Sequence, residues 1–437
     1  MKKCLVVAAS LVALAATGPA QAQDNALREA VARDYRENLA ELFDHFHRNP
    51  ELSFRETRTA ERMARELRAL GYDVTTGVGR TGVVAVLRNG QGPTVLMRAD
   101  MDGLPLREQS GLPNAATVRQ TDMNGVEQPV MHACGHDVHI TSLVGAARQM
   151  AARRANWNGT LVLIAQPAEE IVSGARAMIE DGLYTRFPKP DYAIAFHVSA
   201  DLAAGQIEVP PAIVASSADT VRMVVRGVGT HGAYPHTGVD PVVVASQIVV
   251  SLQSMVGRSI NPLEGRVISV GIIRGGVKAN IIPEEVELQM TVRSDNPETR
   301  QRLLDGIDRV ARGTALALGV PQDRLPTVTR SPTEQTPPTI NHTPSAEIVR
   351  NAIATAMGQQ RLVEPTRTGM GAEDFAVLVT PDTGVRGVYF NVGGTPAAEV
   401  ATAAGHHSPL FRISPEPSVT TGTEAMVVAA EALFRAR

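Results

Sequence analysis

Residues 131–139 read Met-His-Ala-Cys-Gly-His-Asp-Val-His, so three of the chain's eleven histidines, one of its two cysteines and a carboxylate share one short stretch. Thiolate, imidazole and carboxylate groups at this density are the usual ligands of first-row transition metals. Alone, the stretch also reads as a polar surface loop with a stray cysteine. The other chemistry-bearing residues decide between these readings. They are Asp100 and Asp102 in Arg98-Ala99-Asp100-Met101-Asp102-Gly103, the pair Glu169-Glu170, His197 after an apolar run, the Gly-rich acidic run 369–375, and the doublet His406-His407. Singly, each has a plain alternative as a solvated turn or a structural histidine. Neighbouring carboxylates in an extended segment point opposite ways, so one of Glu169-Glu170 can bind a metal while the other faces a water beside it.

The elements that must carry these residues follow from hydrophobic periodicity. Leu27, Val31, Tyr35, Leu39, Leu42 and Phe46 predict one face of a helix over 26–48, ended by Asn49-Pro50. A second amphipathic helix is expected over 57–70, with Gly71 as its C-cap, and a third over 136–152. Strand-type runs at 83–87, 94–99, 160–165 and 192–196 alternate with the helices, which is the texture of an α/β layer fold. In such sheets ligands gather at the carboxyl ends of the strands, where Asp100, Glu169 and His197 fall. His136 and His139 are three residues apart and share a face in the first turn of their helix. From about residue 213 the order becomes strand, helix, strand, strand, helix and a further strand near Thr327, which fits a ferredoxin-like insert. It carries His231, His236, Asn280 and Arg293, and 333–338 reads as the linker back. The remainder returns to α/β texture, with helices over 345–357 and 420–435 and a strand over 388–392. The expected division is a leader at 1–22, a larger domain at 23–211 and 331–437, and the insert at 212–330.

The 437 residues exceed what one compact core usually holds, which agrees with two domains. A net charge of -3, with no basic stripe, excludes an electrostatic footprint for nucleic acid, and one tryptophan with six tyrosines is too few for base-stacking platforms. Lys2-Lys3, an apolar run at 5–16 too short to span a bilayer, and Ala20-Gln21-Ala22 read as an export signal cleaved near Ala22. The mature chain is then expected in the periplasm or outside the cell, with no membrane segment. Cys4 leaves with the signal, so Cys134 has no disulfide partner. A free thiol in an oxidising compartment is a liability unless something occupies it, and ligation to a metal would do so. A Cys-x-His at a helix start, with a distant Glu and two distant His, offers five donors, which suit two metals sharing a bridge.

The chain resembles the M20 metallopeptidase family, and within it the amidohydrolase branch of hippurate hydrolases, N-acyl amino acid deacylases and auxin-conjugate hydrolases. The residues that carry the resemblance are His47-x-x-Pro50-Glu51-Leu52-Ser53-Phe54-x-Glu56, Arg98-Ala99-Asp100-Met101-Asp102, His132-Ala133-Cys134-Gly135-His136-Asp137-x-His139, Gln166-Pro167-Ala168-Glu169-Glu170, His231-x-x-x-Pro235-His236-x-Gly238-x-Asp240-Pro241, Gly371-x-Glu373-Asp374-Phe375 and His407-Ser408-Pro409. They occur in family order over nearly the whole mature chain. The resemblance implies a zinc-peptidase-like α/β catalytic domain with an inserted ferredoxin-like α+β lid, and a homodimer formed through that lid. It implies two divalent ions per subunit (zinc, manganese, cobalt or nickel) on Cys134, His136, Glu170, His197 and His407, with His406 the alternative to His407. Glu169 matches the general acid/base, and His231 a lid histidine that polarises the scissile carbonyl, often from the neighbouring subunit. Asn280 and Arg293 look like holders of a substrate carboxylate, His139 like a substrate-side group, and Asp102 and Asp137 like supports behind the ligands. The implied activity is hydrolysis of N-acyl amino acids or small peptides, with a dinuclear carboxypeptidase or dipeptidase as the alternative.

Overall fold

Four strands, Gly159–Gln166, Thr94–Asp100, Tyr192–Ala203 and Arg386–Thr395, lie side by side and parallel. They form the middle of an eight-stranded sheet, extended on one side by Gly82–Asn89 and Asp73–Val78 and on the other by Ile207–Glu208 and Leu362–Val363. The computed structural model describes residues 19–436, so most of the expected leader at 1–22 lies outside the described residues. Alternation along the strands sends Val83, Ala85, Met97, Leu163, Ile194 and Phe390 to one apolar layer. It sends Val84, Val86, Leu96, Ile164 and Tyr389 to the other. Parallel strands need cover on both faces. The helices Thr57–Ala69, His136–Ala152, Thr343–Met357 and Pro415–Arg435 cover the first face. Gly174–Glu180, Leu183–Arg186 and the turn Asp374–Val379 cover the second.

Gly135 sets the start of the central helix. Its φ is +85°, and a Cβ there would sit 2.3 Å from Val198 Cγ1. Only glycine allows this left-handed turn against the neighbouring strand, and the turn puts Cys134 and His136 on the carboxyl edge of the sheet.

A second core is built from Val221, Met223, Ile248, Leu252, Leu288, Met290, Leu303 and Ile307, all buried. It belongs to a four-stranded antiparallel sheet ordered Arg266–Gly275, Glu285–Ser294, Ala218–Arg226, Thr327–Thr336, packed under Pro241–Arg258 and Pro297–Ala317. This is the ferredoxin-like β-α-β-β-α-β arrangement. Both helices start at a proline behind an Asx cap: the Asp240 and Asn296 side chains accept from the Val242 and Glu298 backbone N–H groups, each at 2.8 Å. The two connections to the large sheet run together, with Ile213–Ala215 paired to Thr339–Ile340.

Several expectations are corrected. The 192–196 strand continues to Ala203, because its partner Arg386–Thr395 keeps the ladder going past His197. His197 therefore projects from within a strand, not from a loop. The stretch read as a linker, 333–338, is strand through Thr336, where Gln335 and Thr336 pair with Asp219 and Ala218. Asp73–Val78, polar and mostly exposed, is an edge strand that periodicity did not reveal. The first long helix carries a π-turn at Tyr35–Leu39. No helix among the described residues is long and apolar enough to cross a membrane.

Candidate metal centre

The histidine rings around Cys134 divide by the proton that each must carry. His197 Nδ1 lies 2.6 Å from the Val198 carbonyl, so Nδ1 holds the proton and Nε2 presents its lone pair 3.4 Å from Cys134 Sγ. His136 Nδ1 faces Asp102 Oδ1 at 3.4 Å, while Nε2 lies 3.8 Å from Glu170 Oε1 and 3.9 Å from Glu169 Oε2. Both are the ring orientations that metal-ligating histidines take when a carbonyl or carboxylate holds the far nitrogen. Both His136 nitrogens and Glu170 Oε1 are buried without a hydrogen-bond partner. Buried polar atoms are seldom left so, and His136 Nε2 and Glu170 Oε1 face each other at 3.8 Å, so the residues fit a bound cation.

His139 and His406 are different. His139 Nε2 accepts from the Val198 N–H at 2.9 Å, and its Nδ1 donates to Asp100 at 2.5 Å. Both nitrogens are spent and the side chain is buried, so His139 does not line the cleft as the resemblance implied; it props the strand behind His197. Burial holds its pKa at about 3, keeping it neutral. His406 Nε2 accepts from the Ala200 N–H at 3.1 Å. That leaves the proton on Nδ1, which faces Cys134 Sγ at 3.7 Å. By distance alone Cys134, His197 and His406 form a three-donor group. By tautomer His406 is a poor ligand, because the nitrogen that faces the thiol carries the proton. His407 sits at φ +64°, tied by its N–H to the Ala133 carbonyl at 2.8 Å, with Nε2 3.3 Å from Glu170 Oε2 and no backbone donor on its ring. A non-glycine residue held in that region often marks a functional position.

The carboxylates are held from behind. Asp102 accepts from the Glu169 and Glu170 N–H groups, each at 3.1 Å, and from Ser53 Oγ at 2.6 Å. Glu56 accepts from the Ala168 N–H at 2.8 Å, bracing Ala168 at φ +50°. His47 pairs with Asp137 at 2.7 Å, so Asp137 points away from the cleft. The motif at 47–56 is thus a clamp on the loops that carry the ligands. Burial, then the charges of Glu373 and Glu170, pushes Glu169 well above the usual carboxylate range. Burial raises Glu170 to about 8. Burial opposes a charge on His136, yet Asp100, Asp102 and Glu170 outweigh it and raise its pKa to about 10. A pocket that retains a proton on a fully buried imidazole carries excess negative charge, the condition that favours a metal cation.

Composition and periodicity did not single out Arg98. It is buried and bonds Gln166, Asp100, Glu373 and Asp374 at 2.5–3.2 Å, and Tyr389 donates to Glu373 at 2.5 Å. Glu169, Glu373 and Asp374 also lie within ligand distance of one another. The Arg98 guanidinium already supplies the cation for the latter two, so we read that group as an ion-pair network. Its only sequence signal was the motif around each end.

A cleft of about 990 Å³ opens over Cys134, Glu169, Glu170, His197, His406 and His407, and Arg293 reaches it from the insert's sheet. His231 and Asn280 do not line it. They lie together on an exposed face, joined by Gly232 N–H to the Asn280 carbonyl at 2.8 Å, and line a separate cleft of about 710 Å³.

Residues 96–432 match peptidase family M20/M25/M40. The chain is 36% identical over 330 residues to the hippurate hydrolase of Campylobacter jejuni, covering 75% of this chain and 82% of that one. It is 33% identical over 387 residues to the N-acetylcysteine deacetylase of Bacillus subtilis, covering 88% and 92%. Among solved structures, the Bacillus subtilis YXEP protein, a dinuclear metal-binding peptidase of family M20, superposes with a TM-score of 0.75 at 28% identity over 92% of this chain and 99% of that one. The chain belongs to peptidase family M20/M25/M40 and is a metal-dependent hydrolase of amide bonds.

Proposed function

We propose that this enzyme cleaves N-acyl amino acids or small peptides with a free carboxylate, using two divalent ions held by Cys134, His136, Glu170, His197 and His407. The observation that carries the reading is the position of Cys134: its thiol belongs both to the group with His136 and Glu170 and to the group facing His197. A thiolate there is shared between two sites, which suits a pair of ions. When bound, such ions supply a Lewis acid for the scissile carbonyl and acidify water. Zinc suits the thiolate and imidazoles, while manganese, cobalt or nickel suit the carboxylate side.

The chain's own residues do the rest. Glu169, buried beside Glu170 and pushed up in pKa, takes a proton from the attacking water and returns it to the leaving nitrogen. Asp102 holds the Glu169-Glu170 backbone, which fixes both carboxylates beside His136. Arg293 bonds the Met370 carbonyl at 2.9 Å through Nη1, and the rest of its fork is suited to a carboxylate. His231 and Asn280 reach a site in our reading from the second subunit of a homodimer. The insert favours such a dimer: its edge strand Arg266–Gly275 has a free side with Ile273 exposed, and Pro241–Arg258 bears no charge before Arg258 and exposes Val242, Val243 and Val250. Lys2-Lys3, the apolar run at 5–16 and Ala20-Gln21-Ala22 support export of the mature enzyme from the cytoplasm in this reading.

The test is hydrolysis of hippurate, acetylated amino acids and dipeptides by the mature protein, with each metal restored after chelation. Acyl amino acids should turn over and chelation should abolish the activity. A metal-loaded protein that cleaves no amide in the panel would overturn the reading. Cys134→Ala should lose bound metal by elemental analysis, and unchanged content would remove the thiolate from the ligand set.

A further inference from the structure

On the floor of the large cleft a row of side chains runs away from Cys134 across neighbouring strands. His197 is in register with Asn391, Asn391 with Glu208, and Glu208 with Val363. Residues in register project from the same face of a sheet, and all four line the cleft. His197 closes one end, facing Cys134. Glu208 stands two strands further on, about 10 Å away at the usual strand spacing.

The chemistry of this row is one-sided. Asn391 Nδ2 donates to Glu208 Oε2 at 3.1 Å. A carboxylate can only accept, so the amide nitrogen must face it, and Asn391 Oδ1 faces the other way. The exposed remainder is then the second Glu208 oxygen and the Asn391 oxygen, two acceptors and no donor. Of the other acids lining the cleft outside the metal group, Glu373 has Arg98 and Glu364 has Arg350, while Asp201 and Glu334 are exposed to solvent and Glu208 is half-buried. Among the described residues Glu208 has no ion-pair partner, and Asn391 is its side-chain hydrogen-bond partner. Val363, on the strand beyond Glu208, closes that end of the row with an apolar surface.

We infer that Glu208, positioned by Asn391, is a specificity-determining residue that selects amide substrates bearing an ammonium or guanidinium group on an arm of about 10 Å. The inference rests on the metal-dependent amidase reading and names the substrate class within it. The arm crosses the floor from the scissile amide at His197, passes over Asn391 and its outward Oδ1, and ends at the Glu208 carboxylate.

Matched substrates test it. One series carries a terminal ammonium on the acyl arm or on the amino acid side chain, and the other ends in hydroxyl or methyl at equal length. The wild type should favour a cationic member in kcat/KM by about tenfold or more, a preference of the size a built polar contact gives. Glu208→Gln should collapse that ratio, and Glu208→Lys should turn it toward an arm ending in carboxylate. Equal rates for cationic and neutral arms in the wild type would overturn the inference, as would a ratio unmoved by Glu208→Gln. If no amide is hydrolysed, the amidase reading fails separately. Calorimetric binding of a non-cleavable alkylamine-armed analogue to wild type and Glu208→Gln then decides this one: tighter binding to the wild type supports it, and equal binding overturns it.

Discussion

The carboxyl edge of the large sheet and the outer face of the insert both hold residues that the family resemblance ties to the reaction, but they are built in opposite ways. At the sheet edge the groups are braced and, His407 apart, buried or half-buried: His197 by its own strand, His136 beside Asp102, and Glu169 and Glu170 by Asp102 through their backbone. On the insert, His231 is exposed; its ring accepts from the Ala233 N–H at 3.0 Å and tilts against Tyr234, with ring centroids 5.4 Å apart. Asn280 is exposed as well. Groups that must hold a cation in one geometry need a rigid, desolvated surround, and one chain can supply it. Groups that act on the substrate only after it arrives can wait on a surface that a moving domain or a second subunit brings in.

The comparison can be broken most directly at Glu169. Glu169→Gln should keep its metal and lose about 10²–10⁴-fold in kcat. Near-normal turnover would take the proton-transfer role from this residue. Arg98→Met tests the bracing: removing one partner of a buried ionic network typically costs about 3–5 kcal/mol. Denaturant unfolding should show that loss, and a variant as stable as the parent would show that Glu373 and Asp374 do not need the guanidinium.

Sharing between subunits is tested by mixing. Glu169→Gln and His231→Ala should each be inactive, and exchange of the two should restore about a quarter of wild-type activity, since half the dimers are mixed and each has one intact site. No recovery in demonstrated mixed dimers would place His231 in its own chain's site.

The smallest effect concerns pH. Burial opposes a charge on His47, but Asp137 and Glu108 outweigh it and raise its pKa to about 10 from an ordinary 6.5. The folded state therefore holds the proton more tightly than the unfolded chain. The resulting stability is complete below about pH 6.5 and is lost as pH rises through about 10. His47→Gln should be less stable at pH 6 and should flatten the alkaline part of the stability profile. An unchanged slope between pH 7 and 10 would show that the imidazole is not charged in the native state.

Much of the fold was legible in the sequence. The helix over 136–152 has the predicted bounds, and the strands expected over 94–99 and 160–165, observed as Thr94–Asp100 and Gly159–Gln166, differ by a residue at most at each end. These elements carry helical periodicity or strand-type runs, which are local properties. What periodicity missed was set by pairing: Asp73–Val78 is a strand because Val83–Val86 lie beside it, and Thr333–Thr336 because Asp219 does.

For the site, residue types and order were enough to pick out Cys134, His136, Glu169, Glu170 and His197 as candidates, because metal chemistry restricts which side chains can serve. Tertiary structure alone decided what each histidine can do. In the sequence His139 reads as a substrate-side group and His406 as the alternative ligand to His407, yet each gives a ring nitrogen to a backbone N–H of the strand Tyr192–Ala203. The Glu208–Asn391 pair, separated by 183 residues, had no sequence signal at all. A proton position and a strand register arise from contacts between distant segments, and those contacts exist only once the chain has folded.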